Sequence, residues 1–264
     1  MNFTLTIMGT ASAMPISDRN PSAQALNVHG RLFLIDCGEG TQQQIRRMHL
    51  SFLKVEAVFI SHIHGDHMFG IFGLLSTLAM YGRTAELHLY APQSFGPVLK
   101  FYLSYFGEGM NYEIVFHPLT MKAPEVVHGK SFLSVTAFPL RHKIECYGFR
   151  FDEILTPRAA AKRAPRSYAY CSDTMPFPEL PEWVKGVDML YHESTYPEEM
   201  ADKAAARVHS TAAQAARCAL EAGAGKLLLG HYSSRVRDYS IYEQEAKAIF
   251  PESHAAQDGE VFDF

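Results

Sequence analysis

No Cys-x-x-Cys pair occurs in the sequence, and its four cysteines, Cys37, Cys146, Cys171 and Cys218, stand singly and far apart. That excludes a cysteine-built zinc knuckle and a disulfide framework. No apolar run reaches the roughly eighteen residues a membrane-crossing helix needs. Nor is there a basic leader with a cleavage site; the alternating Met1–Met8 reads instead as a first strand, and a cytoplasmic location is expected. With no Ser/Gly linker, charge block or low-complexity tract to divide it, the 264-residue chain is expected to form a single domain, 1–264, whose 47% hydrophobic content supplies a large core. Excess positive charge is also missing. A net charge of −4 excludes a surface that attracts nucleic acid everywhere, so any such contact must be local. The one local candidate runs from Arg141 to Arg166, with seven basic residues against three acidic ones. It reads as a solvated face or, lying next to a ligand candidate in sequence, as a phosphate contact.

What the sequence does have is histidine in a meaningful place. Val55–Ser61 is rich in β-branched and apolar residues and predicts a buried strand. It runs directly into His62-Ile-His64-Gly-Asp66-His67, four metal-ligand types within six residues. His62 and His64 are two apart, so in extended backbone both imidazoles point the same way and can hold one ion. Gly65 permits a sharp turn that re-aims Asp66 and His67 towards a second position at the start of a predicted helix, Met68–Tyr81. Imidazole nitrogen and carboxylate oxygen without thiolate suit zinc and permit manganese or iron.

Three further strands end in ligand types. Ser131–Phe138 leads to His142, Ser167–Cys171 to Asp173 and Lys226–Gly230 to His231. Strand ends along one sheet edge converge, so these residues can join the first four in a two-ion site with Asp173 bridging. Elsewhere, Ala23–Asn27 and Arg31–Asp36 read as paired strands. Asp36-Cys-Gly-Glu-Gly-Thr41 reads as a turn into a helix, Thr41–Met48, with Thr41 or a neighbour as cap. Glu86–Ala91 predicts a strand, and Phe95–Phe106 an aromatic-rich helix belonging to the core.

These residues resemble the metallo-β-lactamase superfamily. The second half is similar to its ribonuclease Z branch, the tRNA 3′-processing endonucleases, through His192-Glu193-Ser-Thr195, through His209-Ser-Thr211 before an Ala-rich helix, and through Pro15–Asn20 with Arg19. The resemblance implies an α/β fold, the four-layer αββα sandwich, with two Zn²⁺ ions and a homodimer. It also implies metal-assisted phosphodiester hydrolysis with Asp66 as ligand and base, and His209 as general acid supported by Glu193. One departure stands out. That branch carries a long tRNA-gripping arm between the positions of His142 and Asp173, and here only thirty residues separate them. Arg235, in Ser233-Ser-Arg-Val236, also lacks the aromatic neighbour common in the branch.

Two readings therefore share one chemistry. The first is removal of the 3′ trailer from tRNA precursors, with Arg19, Arg235, Arg158, Lys162, Arg163 and Arg166 as substrate contacts. The second is an arm-less phosphodiesterase acting on small cyclic or linear diesters. Other hydrolases of the fold, or an inactive RNA-binding relative, rank below both, because no ligand is missing and both C-terminal boxes are present.

Overall fold

The computed structural model describes residues 2–14 and 16–264. Met1 of the first predicted strand and Pro15 of the Arg19 loop lie outside them. Among the described residues the strands are, in chain order, β1 (Phe3–Gly9), β2 (Ala23–Val28), β3 (Arg31–Cys37), β4 (Val55–Phe59), β5 (Leu87–Pro92), β6 (Ile114–Leu119), β7 (Glu125–Lys130), β8 (Leu133–Pro139), β9 (Tyr147–Glu153), β10 (Ser167–Cys171), β11 (Met189–Glu193), β12 (Leu227–Gly230), β13 (Ser253–Ala255) and β14 (Val261–Asp263). The chain divides into two compact units, Met1–Thr120 with Gln257–Asp263, and Met121–Ala256 with Phe264.

The first unit holds a sheet of order β14-β1-β2-β3-β4-β5-β6, antiparallel from β14 to β3 and parallel from β3 to β6. Its central parallel strands carry short apolar runs, residues 32–35 in β3 and 57–59 in β4, in which every residue is buried, as parallel strands covered on both faces require. The helices here are α1 (Thr41–Arg47), α2 (Gly65–Met68), α3 (Ile71–Met80) and α4 (Gly96–Phe106). Ile71, Leu74, Leu75 and Leu78, spaced for one face of α3, join Leu34, Val58 and Leu89 in a single core.

Gly40, the neighbour of Thr41, caps α1, and the Thr41 hydroxyl donates to Gly38 O at 2.6 Å. Two local features differ from expectation. The helix expected over 68–81 is split at Gly70, whose N–H bonds Cys37 O at 2.9 Å and where a Cβ would collide with Gly38 O. Close approach of the β3 turn thus breaks the helix and separates Asp66 and His67 from α3. The aromatic helix, expected in the core, buries only Leu99 and Tyr102, while Phe101, Tyr105 and Phe106 are 61%, 68% and 63% exposed.

The second unit holds a sheet of order β13-β12-β11-β10-β9-β8-β7, parallel from β13 to β10 and antiparallel from β10 to β7. Two antiparallel steps restore direction, so β8, β10, β11 and β12 all point the same way and their following residues leave from one edge. Behind them lies a helix, Ala212–Ala222, begun by a reciprocal Thr211–Gln214 cap. Its Ala212, Ala215, Ala216 and Ala219 pack into the core with Leu190 and Leu229. No helix among the described residues is long and apolar enough to cross a membrane.

Candidate metal centre

In the first unit the site grows from the neighbouring ends of β3 and β4. Asp36, the penultimate residue of β3, is in a left-handed conformation, φ 55°, with a fully buried carboxylate. It accepts from Ser61 N at 2.7 Å, Ser61 Oγ at 2.9 Å and His67 Nδ1 at 2.7 Å. Because a carboxylate only accepts, His67 carries its proton on Nδ1 and presents the Nε2 lone pair, 3.4 Å from Asp66 Oδ2. The Ser61 hydroxyl spends its proton on Asp36, so at 3.0 Å it accepts from His62 Nδ1, and His62 likewise presents Nε2. That atom lies 3.0 Å from His64 Nδ1.

In the second unit the ends of β8, β10, β11 and β12 deliver His142, Asp173, Glu193 with Thr195, and His231. His142 Nδ1 donates to Val208 O at 3.0 Å, and its Nε2 faces Asp173 Oδ2 at 3.7 Å. Thr195 Oγ1 donates to Glu193 Oε2 at 2.7 Å and so accepts from His231 Nδ1 at 2.9 Å, which leaves His231 Nε2 facing Asp173 Oδ1 at 3.3 Å. Ligand atoms of Asp173, His209 and His231 all lie within 4.8 Å of one another. His231, φ 60°, and Asp36 sit at these strand ends, and Val208, φ 62°, caps the helix Ala201–Arg207 behind His142, so three of the five non-glycine positive-φ residues among the described residues border the site. Backbone strain of that kind collects where geometry serves a site.

The donor set fits divalent ions. Two ligand atoms about 2.1 Å from a tetrahedral ion lie roughly 3.4 Å apart, close to the Nε2–carboxylate separations above. The Nδ1 atoms of His62, His67, His142 and His231 are each fixed from behind by a carboxylate, carbonyl or hydroxyl, as metal-ligating imidazoles are.

His209 is held differently. Its Nδ1 lies 2.8 Å from Glu193 Oε1 and 3.1 Å from Thr195 Oγ1. Glu193, fully buried, also accepts from the backbone N–H groups of Thr174, Thr195 and Ser210. Burial pushes its carboxyl up, but the charge and hydrogen bond of His209, with the His231 charge and the Thr195 hydroxyl, outweigh that and hold it below the usual carboxylate range. Glu193 is therefore ionised, and a histidine oriented by a carboxylate can carry a proton to a leaving group. His192, its neighbour in the box, is buried, and the desolvation lowers its pKa.

The basic residues are more scattered than their sequence suggests. Arg19 donates to Thr10 Oγ1 at 2.8 Å, and Asn20 and Thr10 are both tied to Asp258. Arg235 is exposed. Arg163 and Arg166 both grip Glu153, a fully buried carboxylate, at 2.6 and 2.8 Å, whereas Arg158 and Lys162 are exposed. Arg141, at the head of the run, sits beside the Asp173 turn, its N–H bonding Thr174 Oγ1 at 3.1 Å, but the stretch 158–166 does not. That stretch closes the β9–β10 hairpin between Glu153 and Ser167, while His142 and Asp173 lie at the opposite ends of those strands, about 17 Å away at roughly 3.3 Å per residue over the five residues of β10.

Sequence reasoning passed over Asp36, Ser61 and Val208. For Asp36 the signal is an acid at the end of an apolar strand, which the pattern alone explains equally well as the start of a turn.

The family model described as Beta-lactamase superfamily domain matches residues 31–232. Ribonuclease Z of Bacteroides fragilis strain YCH46 is 38% identical, covering 97% of this chain and 97% of that protein. Its alignment runs over 295 residues against 264 in this chain, so that relative has residues with no counterpart here. Ribonuclease Z of Porphyromonas gingivalis strain W83 is 35% identical with the same coverage of both. The crystal structure of human tRNase Z, short form, matches with a TM-score of 0.83 at 26% identity, covering 98% of each chain.

Proposed function

We propose, for a chain that belongs to the ribonuclease Z family of the metallo-β-lactamase superfamily, endonucleolytic removal of the 3′ trailer from tRNA precursors. The fold is the metallo-β-lactamase fold, with two mixed sheets flanked by helices, and the activity is that of a metal-dependent hydrolase. The observation that carries the nuclease reading is the 2.8 Å contact between His209 and the buried Glu193, beside Asp173. A ribose oxygen is a poor leaving group and needs a proton, which an activated ester does not.

In this reading residues 1–264 act as one αββα domain holding two zinc ions. His62, His64 and His142 would hold one, Asp66, His67 and His231 the other, and Asp173 would be available to both. Ions held there supply the Lewis acidity that makes water nucleophilic near pH 7 and offsets charge on the phosphate. The chain's own residues do the rest: Asp66 orients and accepts from the attacking water, Asp36, Ser61, Val208 and Thr195 fix imidazole tautomers, and His209 delivers the proton. The thirty-residue spacing of His142 and Asp173 leaves no room for a folded arm. Arg158 and Lys162 take over part of its role, contacting phosphates distant from the cleaved bond, with Arg19 and Arg235 as further contacts; Arg163 and Arg166 hold the loop in place through Glu153.

The test offers the zinc-loaded protein a 3′-extended tRNA precursor and bis(nitrophenyl) phosphate side by side. A single cut at the trailer junction is expected. Hydrolysis of the small diester with no action on the precursor transfers the assignment to the small-diester reading. Replacing Arg158 and Lys162 with alanine is expected to reduce the salt slope of tRNA binding by roughly one unit per lost contact, with small-diester turnover unchanged. An unaltered slope makes them a solvated face.

The homodimer implied by the family is assigned to the α3–α4 face. Phe69, Phe72, Ser76 and Met80 form one stripe, and Val98, Phe101, Tyr102, Tyr105 and Phe106 another at helical spacing. Phe69, Phe101, Tyr105 and Phe106 are 60–68% exposed and Met80 is 77% exposed. At 150–250 Å² per aromatic, the four aromatic side chains alone present on the order of 500 Å², more than half of the roughly 800 Å² per partner of a standard interface. The double substitution Phe101→Asp and Tyr105→Asp is expected to halve the mass measured by sedimentation equilibrium; a parent already monomeric at 50 μM removes this assignment.

A further inference from the structure

Away from the strand ends just described, one pair of side chains repeats their geometry. β5 and β6 run parallel at the edge of the first sheet, with His88 opposite Val115 and Tyr90 opposite His117. That register sets His88 and His117 diagonally on one face. His88 Nδ1 and His117 Nε2 are 3.1 Å apart. At the end of β4, His62 Nε2 and His64 Nδ1 are 3.0 Å apart, the same bite made by the same two kinds of atom. Two nitrogens about 2.0–2.1 Å from one ion, at tetrahedral to square angles, lie about 2.9–3.4 Å apart, which brackets both pairs.

The surroundings favour a cation over a chance meeting of two rings. Tyr90 stacks on His117 at 4.3 Å with its other neighbour Phe59 at 4.7 Å, so the plane of His117 is held. Glu86 Oε1 lies 3.4 Å from His88 Nε2, the position from which a carboxylate orients a metal-bound imidazole. Burial, and then the charge of His88, lowers the pKa of His117, which keeps that ring neutral near pH 7. The His88 side chain is 16% exposed, so ions in solution reach it.

We propose that His88 and His117, backed by Glu86, form an accessory site for one divalent transition-metal ion of the zinc, nickel or copper kind, completed by water. Imidazole donors select these ions over magnesium and calcium. With two protein ligands the site binds more weakly than a centre with three or four, so it fills last and exchanges readily.

The experiment titrates Ni²⁺ by calorimetry into protein already saturated with zinc and freed of excess metal. One additional equivalent is expected for the parent. His88→Ala and His117→Ala should each weaken it at least tenfold and Glu86→Gln about tenfold, while zinc content and small-diester turnover stay at the parent level. His117→Gln keeps a polar side chain of similar reach, and a melting curve on each variant separates a lost ligand from a lost fold. Parent-like nickel binding in the folded His88 and His117 variants overturns the proposal. So does a parent that takes up no additional nickel by 1 mM.

Discussion

Replacing His209 with alanine is expected to lower turnover of a tRNA precursor by about 10²–10⁴-fold and to leave zinc content unchanged. The ring is fixed by Glu193 Oε1 and Thr195 Oγ1 through Nδ1, so Nε2 is the atom turned outward to deliver a proton. Glu193 is ionised in its buried site because His209, His231 and Thr195 together outweigh the desolvation that pushes it the other way. An ionised partner stabilises the imidazolium form that a general acid needs. The check is the choice of leaving group. Nitrophenolate departs without help, so bis(nitrophenyl) phosphate should be hydrolysed by the variant nearly as fast as by the parent. Equal losses on both substrates assign His209 to substrate positioning. Loss of one zinc per chain makes it a ligand instead, the other role open to a residue whose nitrogen lies near Asp173 and His231.

The sequence displays these groups unequally, and the reason is how far each depends on tertiary register. His62, His64, Asp66 and His67 are legible because strand β4 and the turn at Gly65 position them locally. His142, Asp173 and His231 are legible at one remove: each follows a short apolar strand, and β8, β10 and β12 do share a direction, which brings them to one edge. Asp36 was passed over because its purpose arises only when β3 lies beside β4 in the register Ile35 to Phe59. Nothing in Asp36-Cys-Gly-Glu-Gly announces that pairing. The aromatic helix was misplaced for a different reason. An amphipathic pattern shows which face is apolar, not whether this chain covers it, and Phe101, Tyr105 and Phe106 are left outside. The basic stretch 158–166 misleads through sequence distance: five residues of β10 separate it from the Asp173 turn, and in a strand five residues amount to about 17 Å.

Asp36→Asn is expected to weaken zinc binding by 10–100-fold with little change in the fold. The substitution keeps size, and asparagine tolerates the left-handed backbone at φ 55°. Oδ1 still accepts from Ser61 N, as the aspartate does at 2.7 Å. The group replacing Oδ2 is a donor, however, and Oδ2 is the atom that accepts from His67 Nδ1 and from Ser61 Oγ. His67 must then move its proton to Nε2, the atom facing Asp66, and that nitrogen loses the lone pair a metal needs. The Ser61 hydroxyl now accepts from the amide and turns its own proton towards His62 Nδ1, 3.0 Å away, which drives His62 to the Nε2–H tautomer as well. One amide thus reverses two imidazoles. Turnover should fall with occupancy at limiting zinc and recover towards the parent level at saturating zinc, while the melting temperature of metal-free protein stays close to the parent's. Asp36→Ala serves as contrast: it leaves Ser61 N without its acceptor in a buried site and places a poorly suited residue at positive φ, so it should lower the melting temperature as well. Parent-like zinc affinity in the Asn variant limits Asp36 to tying β3 to the end of β4 and removes tautomer control from its role.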